Sequence, residues 1–122
     1  MTLPCTRLRY LFALEQLHQE NAGGARAVEI AAMLGVARPS VHRMMKALKK
    51  QGLIEQTGPL LCLTGQGRKT LALYRSDYEV FKAFFRARLA LSPLEAEDNA
   101  IALLGALCPK CRQALSNFLG NL

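Results

Sequence analysis

Apolar side chains recur along much of this chain three or four residues apart. Leu8, Leu11, Phe12, Leu14 and Leu17 keep that spacing and predict an amphipathic helix over 5–21. Asn21-Ala22-Gly23-Gly24 stops it. Ala27-Val28 offers a short extended piece at the head of the next element. Val28, Ile30, Ala31 and Leu34 mark a second helix over 27–34, ended by Gly35. Val36-Ala37-Arg38 predicts a tight turn. Pro39 suits the first turn of a helix, where its missing N–H has no intrahelical partner, so a third helix is expected to about Lys50. Its apolar stripe is Val41, Met44, Met45 and Leu48, and Gly52 terminates it.

The pattern then changes. Leu53-Ile54-Glu55-Gln56 and Leu60-Leu61-Cys62-Leu63 flank Thr57-Gly58-Pro59, which predicts two short strands around a tight turn. Thr64 can cap a long helix over 65–91 through its hydroxyl. Ser92-Pro93 breaks that helix, with serine as the next cap and proline at the first helical position. Helices over 93–107 and 109–119 complete the chain. The expected fold class is mostly α with a small β-hairpin wing, a winged helix-turn-helix followed by a helical region.

Composition adds bounds. A chain of 122 residues suits one compact unit or two small ones, and 51% hydrophobic with 20% charged residues is a folding composition. No apolar run reaches the ~20 residues of a membrane helix. Arg7 and Arg9 stand where a signal peptide needs its apolar core, so a cytoplasmic protein is expected, with no membrane partner. In that compartment the four cysteines are expected as thiols or ligands rather than structural disulfides.

Charge changes the picture more. The net charge is +7, and residues 1–70 hold ten Lys/Arg against four acids, while residues 71–122 hold six against five. The excess lies at one end, the footprint expected of a nucleic-acid-binding module. In "VEIAAMLGVARPSVHRMMKALKKQGLIE" two short helices share a core through Ile30, Leu34, Val41, Met45 and Leu48. The second then presents Ser40, His42, Arg43 and Lys46 outward from its first turns, and Arg38 and Pro39 at its head are expected on the DNA as well. A helix of that diameter fits the major groove of double-stranded DNA, and its N-terminal side chains reach base edges. Arg43 has the fork that binds guanine, and Ser40 with the helix N-terminus suits a phosphate. Lys49, Lys50, Arg68 and Lys69 suit the DNA backbone. The wing tip carries no base, so it is expected to pack rather than read a groove. The competing readings are a solvated basic face on a helical hairpin, and a winged helix that has lost DNA and binds protein. With two histidines, no glycine-rich phosphate loop and no nucleophile spaced from a base, no catalytic constellation is present in the sequence.

"AVEIAAMLGVARPSVHRMMKALKKQGLIE" followed by "LCLTGQGRKTLALYR" resembles the iron- and manganese-dependent repressors, the diphtheria-toxin-repressor family. The likeness rests on Pro39-Ser40-Val41, Gln51-Gly52-Leu53 and Leu63-Thr64-Gly65-Gln66-Gly67-Arg68, and it extends over residues 8–91. It implies a homodimeric regulator that reads two half-sites. Residues 1–70 would form the DNA-binding domain and 71–122 a helical dimerisation domain. Phe81, Phe84, Phe85, Leu89, Ile101, Leu103, Leu104 and Leu107 supply apolar surface for the dimer.

The resemblance also implies a metal site, and here the sequence departs from it. The family's ligand positions fall on Arg9 and Phe12, on Ser76, and on Ile101, Leu104 and Gly105. None ligates a divalent ion. Asp77, Glu79, Glu97 and Asp98 offer a rebuilt carboxylate site nearby. Cys108-Pro109-Lys110-Cys111 offers another kind of sensor. A Cys-x2-Cys pair is half of a zinc or iron site, or a redox dithiol at a helix head, or incidental. A cysteine-bound zinc or iron and no cofactor at all both remain open on the sequence.

Overall fold

The computed structural model describes residues 3–21 and 23–122; Ala22, part of the expected stop after the first helix, lies outside them. Six helices and one hairpin follow in order: α1 (Cys5–Glu20), α2 (Ala27–Leu34), α3 (Arg38–Lys50), β1 (Ile54–Thr57), β2 (Leu60–Leu63), α4 (Gly65–Arg88), α5 (Pro93–Ala106) and α6 (Pro109–Gly120). The chain divides into two units. One is Arg9–Leu71, and the other is Ala72–Leu122 together with the chain up to Leu8. Residues 3–8 therefore go with the helical unit rather than with the winged one.

In the winged unit, α2 packs on α3. Leu11, Leu14, Ile30, Val41 and Leu48 are fully buried at its centre. Gly35 adopts the left-handed conformation (φ 66, ψ 37), which closes α2 and gives the helix-turn-helix its corner. β1 and β2 pair antiparallel from Ile54 opposite Leu63 to Thr57 opposite Leu60. The extended piece expected at Ala27-Val28 lies instead at Ala25. Ala25 bridges to Leu61 with mutual backbone hydrogen bonds of 2.9 and 2.7 Å, while Ala27 and Val28 already belong to α2.

Thr64 does cap the long helix. Its hydroxyl accepts the Gly67 N–H at 3.0 Å and donates to the Gly52 carbonyl at 2.6 Å, tying the head of α4 to the end of α3. The helix ends at Arg88, three residues short of the expected 91, because Ala90 turns left-handed (φ 55). Ser92 begins α5 with reciprocal bonds to Glu95, the N–H of Glu95 to the hydroxyl (3.2 Å) and the N–H of Ser92 to the carboxylate (3.0 Å).

The helical unit has its own core of Leu8, Tyr74, Phe81, Ala96, Ala100, Ile101 and Leu104. This corrects part of the dimer-surface expectation. Phe81 and Leu104 are 0% exposed and Ile101 7%, so these three of the eight apolar side chains expected to face a partner are spent inside the chain. Phe84, Phe85, Leu103 and Leu107 are half-buried and Leu89 is exposed.

Candidate nucleic-acid interface

The face of α3 away from the core is a continuous basic strip. Arg38, Pro39, His42, Arg43, Lys46, Lys49 and Lys50 are exposed, and Val41, Met45 and Leu48 on the opposite side are buried. The segregation follows from spacing: the buried residues recur every three or four positions, which leaves the bases on the other arc. The helix head carries no side-chain cap, since Ala37 at the N-cap offers none. Its amide dipoles are therefore unscreened by a side chain, the arrangement that attracts an anion.

Two contacts orient the strip. The Arg43 Nη2 donates to the Ser40 hydroxyl at 3.3 Å, one turn earlier, so the half-buried Ser40 steadies the guanidinium. Arg43 also lies close enough to Tyr10 for its charge partly to offset the rise that burial gives the phenol pKa. Further along, the Lys49 ammonium donates to the Gln56 side-chain oxygen, and the Gln56 amide donates to the Gly58 carbonyl at 2.9 Å. The hairpin thus holds Lys49 from below.

A cleft of about 490 Å³ opens between the head of α2, α3 and the hairpin. Arg26, Arg38, His42, Lys46 and Lys49 rim it, and Val28, Met45, Pro59 and Leu61 line its floor. Arg26 and Gln56 are the members the sequence reading missed. Arg26 sits at the N-cap of α2, on the element before α3, and the Ala25–Leu61 bridge places it beside the hairpin at the rim. Arg68, expected on the DNA backbone, is exposed and donates one guanidinium N–H to the Leu63 carbonyl at 3.1 Å, which ties its base to the wing.

The positions that the metal-repressor pattern reserves for ligands do not fit a metal. Ile101 and Leu104 are core residues and Ser76 is an exposed hydroxyl. A Cβ on Gly105 would stand 2.4 Å from the Cys5 amide nitrogen, so no larger side chain fits there without moving backbone. The alternative carboxylate site is also not assembled. Asp77 pairs with Arg112 at 3.0 Å, and Glu79 faces Lys82 at 3.3 Å and Arg75 at 3.7 Å. Among the described residues, no three His, Cys, Asp or Glu side chains group closely enough to hold a metal ion. That also leaves Cys108 and Cys111 without further ligands among the described residues. Both are exposed free thiols at the head of α6, where the Cys111 N–H donates to the Cys108 Sγ at 3.4 Å. Cys62 donates to the Gly23 carbonyl at 3.1 Å, within the winged unit.

Residues 9–58 match the IclR helix-turn-helix domain model. The manganese regulator SloR superposes on 98% of this chain with a TM-score of 0.75 at 19% identity, using 55% of its own length. The fold is that of the metal-dependent regulators. The hypothetical protein SSo2273 from Sulfolobus solfataricus has it too, with a TM-score of 0.70, 18% identity and coverage of 98% of this chain and 92% of its own. The transcriptional regulator MntR of Escherichia coli O157:H7 is 35% identical over 92 residues, 75% of this chain and 58% of its own length. The chain thus spans little more than half the length of the curated relatives it matches. It resembles the metal-dependent repressors in fold, with Ser76, Ile101, Leu104 and Gly105 at positions where the resemblance implies ligands. No described helix is long and apolar enough to cross a membrane.

Proposed function

We propose that this protein is a homodimeric, DNA-binding transcription regulator that reads an operator through α3. The observation that carries the reading is the strip itself: six exposed basic or imidazole side chains (Arg38, His42, Arg43, Lys46, Lys49 and Lys50) on one 13-residue helix whose other face is buried. Arg43, steadied by Ser40, reads a guanine, and Lys49, held by Gln56, meets a phosphate. The rim residues Arg26 and Arg38 extend the backbone contact. The curated relatives bear the name transcriptional regulator, which supports the same reading.

The test is a titration of fluorescent duplexes, selected from a random pool, over a range of salt. Arg43→Ala is expected to weaken the selected site by about 1–3 kcal/mol and to flatten preference at one base pair. Lys49→Ala is expected to weaken all sequences alike and to lower the salt slope by about one. Selected-site binding that survives both substitutions intact would remove α3 as the recognition helix and favour a protein-binding role for the fold.

A further inference from the structure

We infer that the helical unit is closed by an internal cation, the Arg112 guanidinium, and needs no divalent metal for folding or DNA binding. Arg112 stands in the first turn of α6, the end of a helix where the dipole disfavours positive charge. Its position is explained by what it reaches. Its Nε donates to the Asp77 carboxylate on α4 at 3.0 Å, and its guanidinium lies 4.3 Å from the centre of the Tyr74 ring. The Arg112 and Asp77 side chains are only 11% and 13% exposed. Tyr74, itself 3% exposed, accepts the Leu3 N–H on its hydroxyl at 3.0 Å, 71 residues away in sequence.

One tyrosine therefore joins three parts of the unit: α6 through the cation on its ring, α4 to which it belongs, and the chain entering α1. A divalent ion does this kind of work by drawing carboxylates from separate elements together. Here a carboxylate, Asp77, meets a guanidinium supplied by the chain. The ligand positions implied by the family resemblance are meanwhile filled by packing: Leu104 is fully buried, and Gly105 lies against the backbone at Cys5. The Arg112 Nη1 is buried with no hydrogen-bond partner among the described residues, so the Asp77 bond and the Tyr74 face are the contacts seen to hold the cation.

The test has arms with and without DNA; only the DNA arm rests on the regulator reading. Thermal unfolding of the protein after EDTA treatment is expected to give the same midpoint with and without added Mn²⁺. A Mn²⁺-dependent rise of several degrees overturns the inference. Arg112→Met and Asp77→Asn should each lower the midpoint by about 5 °C or more, and the double variant should fall no further than the worse single one. Additive losses overturn the pairing, and so do singles that leave the midpoint unchanged. Arg112→Lys, which keeps the charge but loses the planar fork and ring stacking, should fall between, and serves if Arg112→Met does not fold. In the DNA arm, affinity in EDTA should stay within about twofold of that in Mn²⁺, and a tenfold gain from metal overturns the inference. If no duplex binds under any condition, the regulator reading fails while the thermal arms still decide the cation.

Discussion

Gly67 shows how tightly single residues set the winged unit. It is the third residue of α4, and a Cβ there would stand 2.1 Å from the Leu53 carbonyl oxygen. That same carbonyl accepts the Thr64 N–H at 3.0 Å, so it cannot swing away without breaking the junction between hairpin and helix. Gly67→Ala gains up to ~1 kcal/mol of helix propensity but forces backbone apart at a cost of about 2–3 kcal/mol, the upper end for overpacking because the neighbour is backbone. The expected outcome is a net loss of about 1–2 kcal/mol in urea unfolding, with an unchanged slope. A variant as stable as the parent would mean that the close approach is not maintained. The glycine was visible in the sequence as part of Thr64-Gly65-Gln66-Gly67, but its reason was not, because the carbonyl it faces belongs to a residue fourteen positions earlier. Arg112 and Asp77, 35 residues apart, were hidden in the same way.

At the scale of elements, α4 carries a titratable group under strong local influence. The Tyr78 hydroxyl is pushed up to about 12, first by burial and then by the carboxylates of Glu97, Glu79 and Asp98, with Arg75 acting against them. The folded state therefore resists ionisation of this phenol. Below pH 10 the group is protonated in both states and its contribution is fully present. Between pH 10 and 12 the unfolded chain ionises first, so stability falls as pH rises. At pH 11 the loss is on the order of 1 kcal/mol. Tyr78→Phe removes that slope, and urea unfolding at pH 8 and pH 11 checks it; equal slopes in parent and variant would count against the burial of this hydroxyl. The order of elements was legible because it rests on local signals: apolar spacing, Gly35, Thr64 and Ser92-Pro93. Which apolar faces of the helical unit turn inward was not. Phe81, Ile101 and Leu104 carry the same spacing whether they meet their own chain or another, and only the packed structure separates the two cases.

For the molecule as a whole, the question is what covers the apolar side chains that remain outside. In the helical unit Leu73, Leu89, Leu94, Phe118 and Leu122 are each more than half exposed. Phe118, Leu89 and Leu122 are at or near the ends of α4 and α6, where Val80, Ala83, Phe84, Ala87 and Leu119 line a groove of about 400 Å³. Under the regulator reading a second copy covers these residues, since a two-fold pair is the commonest solution for a surplus apolar face and matches a two-half-site operator. Sedimentation at micromolar protein is expected to give a dimer, and Phe118→Asp with Leu89→Asp is expected to give a monomer with unchanged helix content. Because Phe81, Ile101 and Leu104 stay inside each chain, the two substitutions should not unfold it. The DNA readout follows from counting phosphates. A dimer places two copies of α3 on the duplex, so its salt slope on a paired site should be roughly twice that of the monomeric variant on one half-site. A parent protein that sediments as a monomer, with one slope on both duplexes, would leave α3 as the reader and remove the second copy.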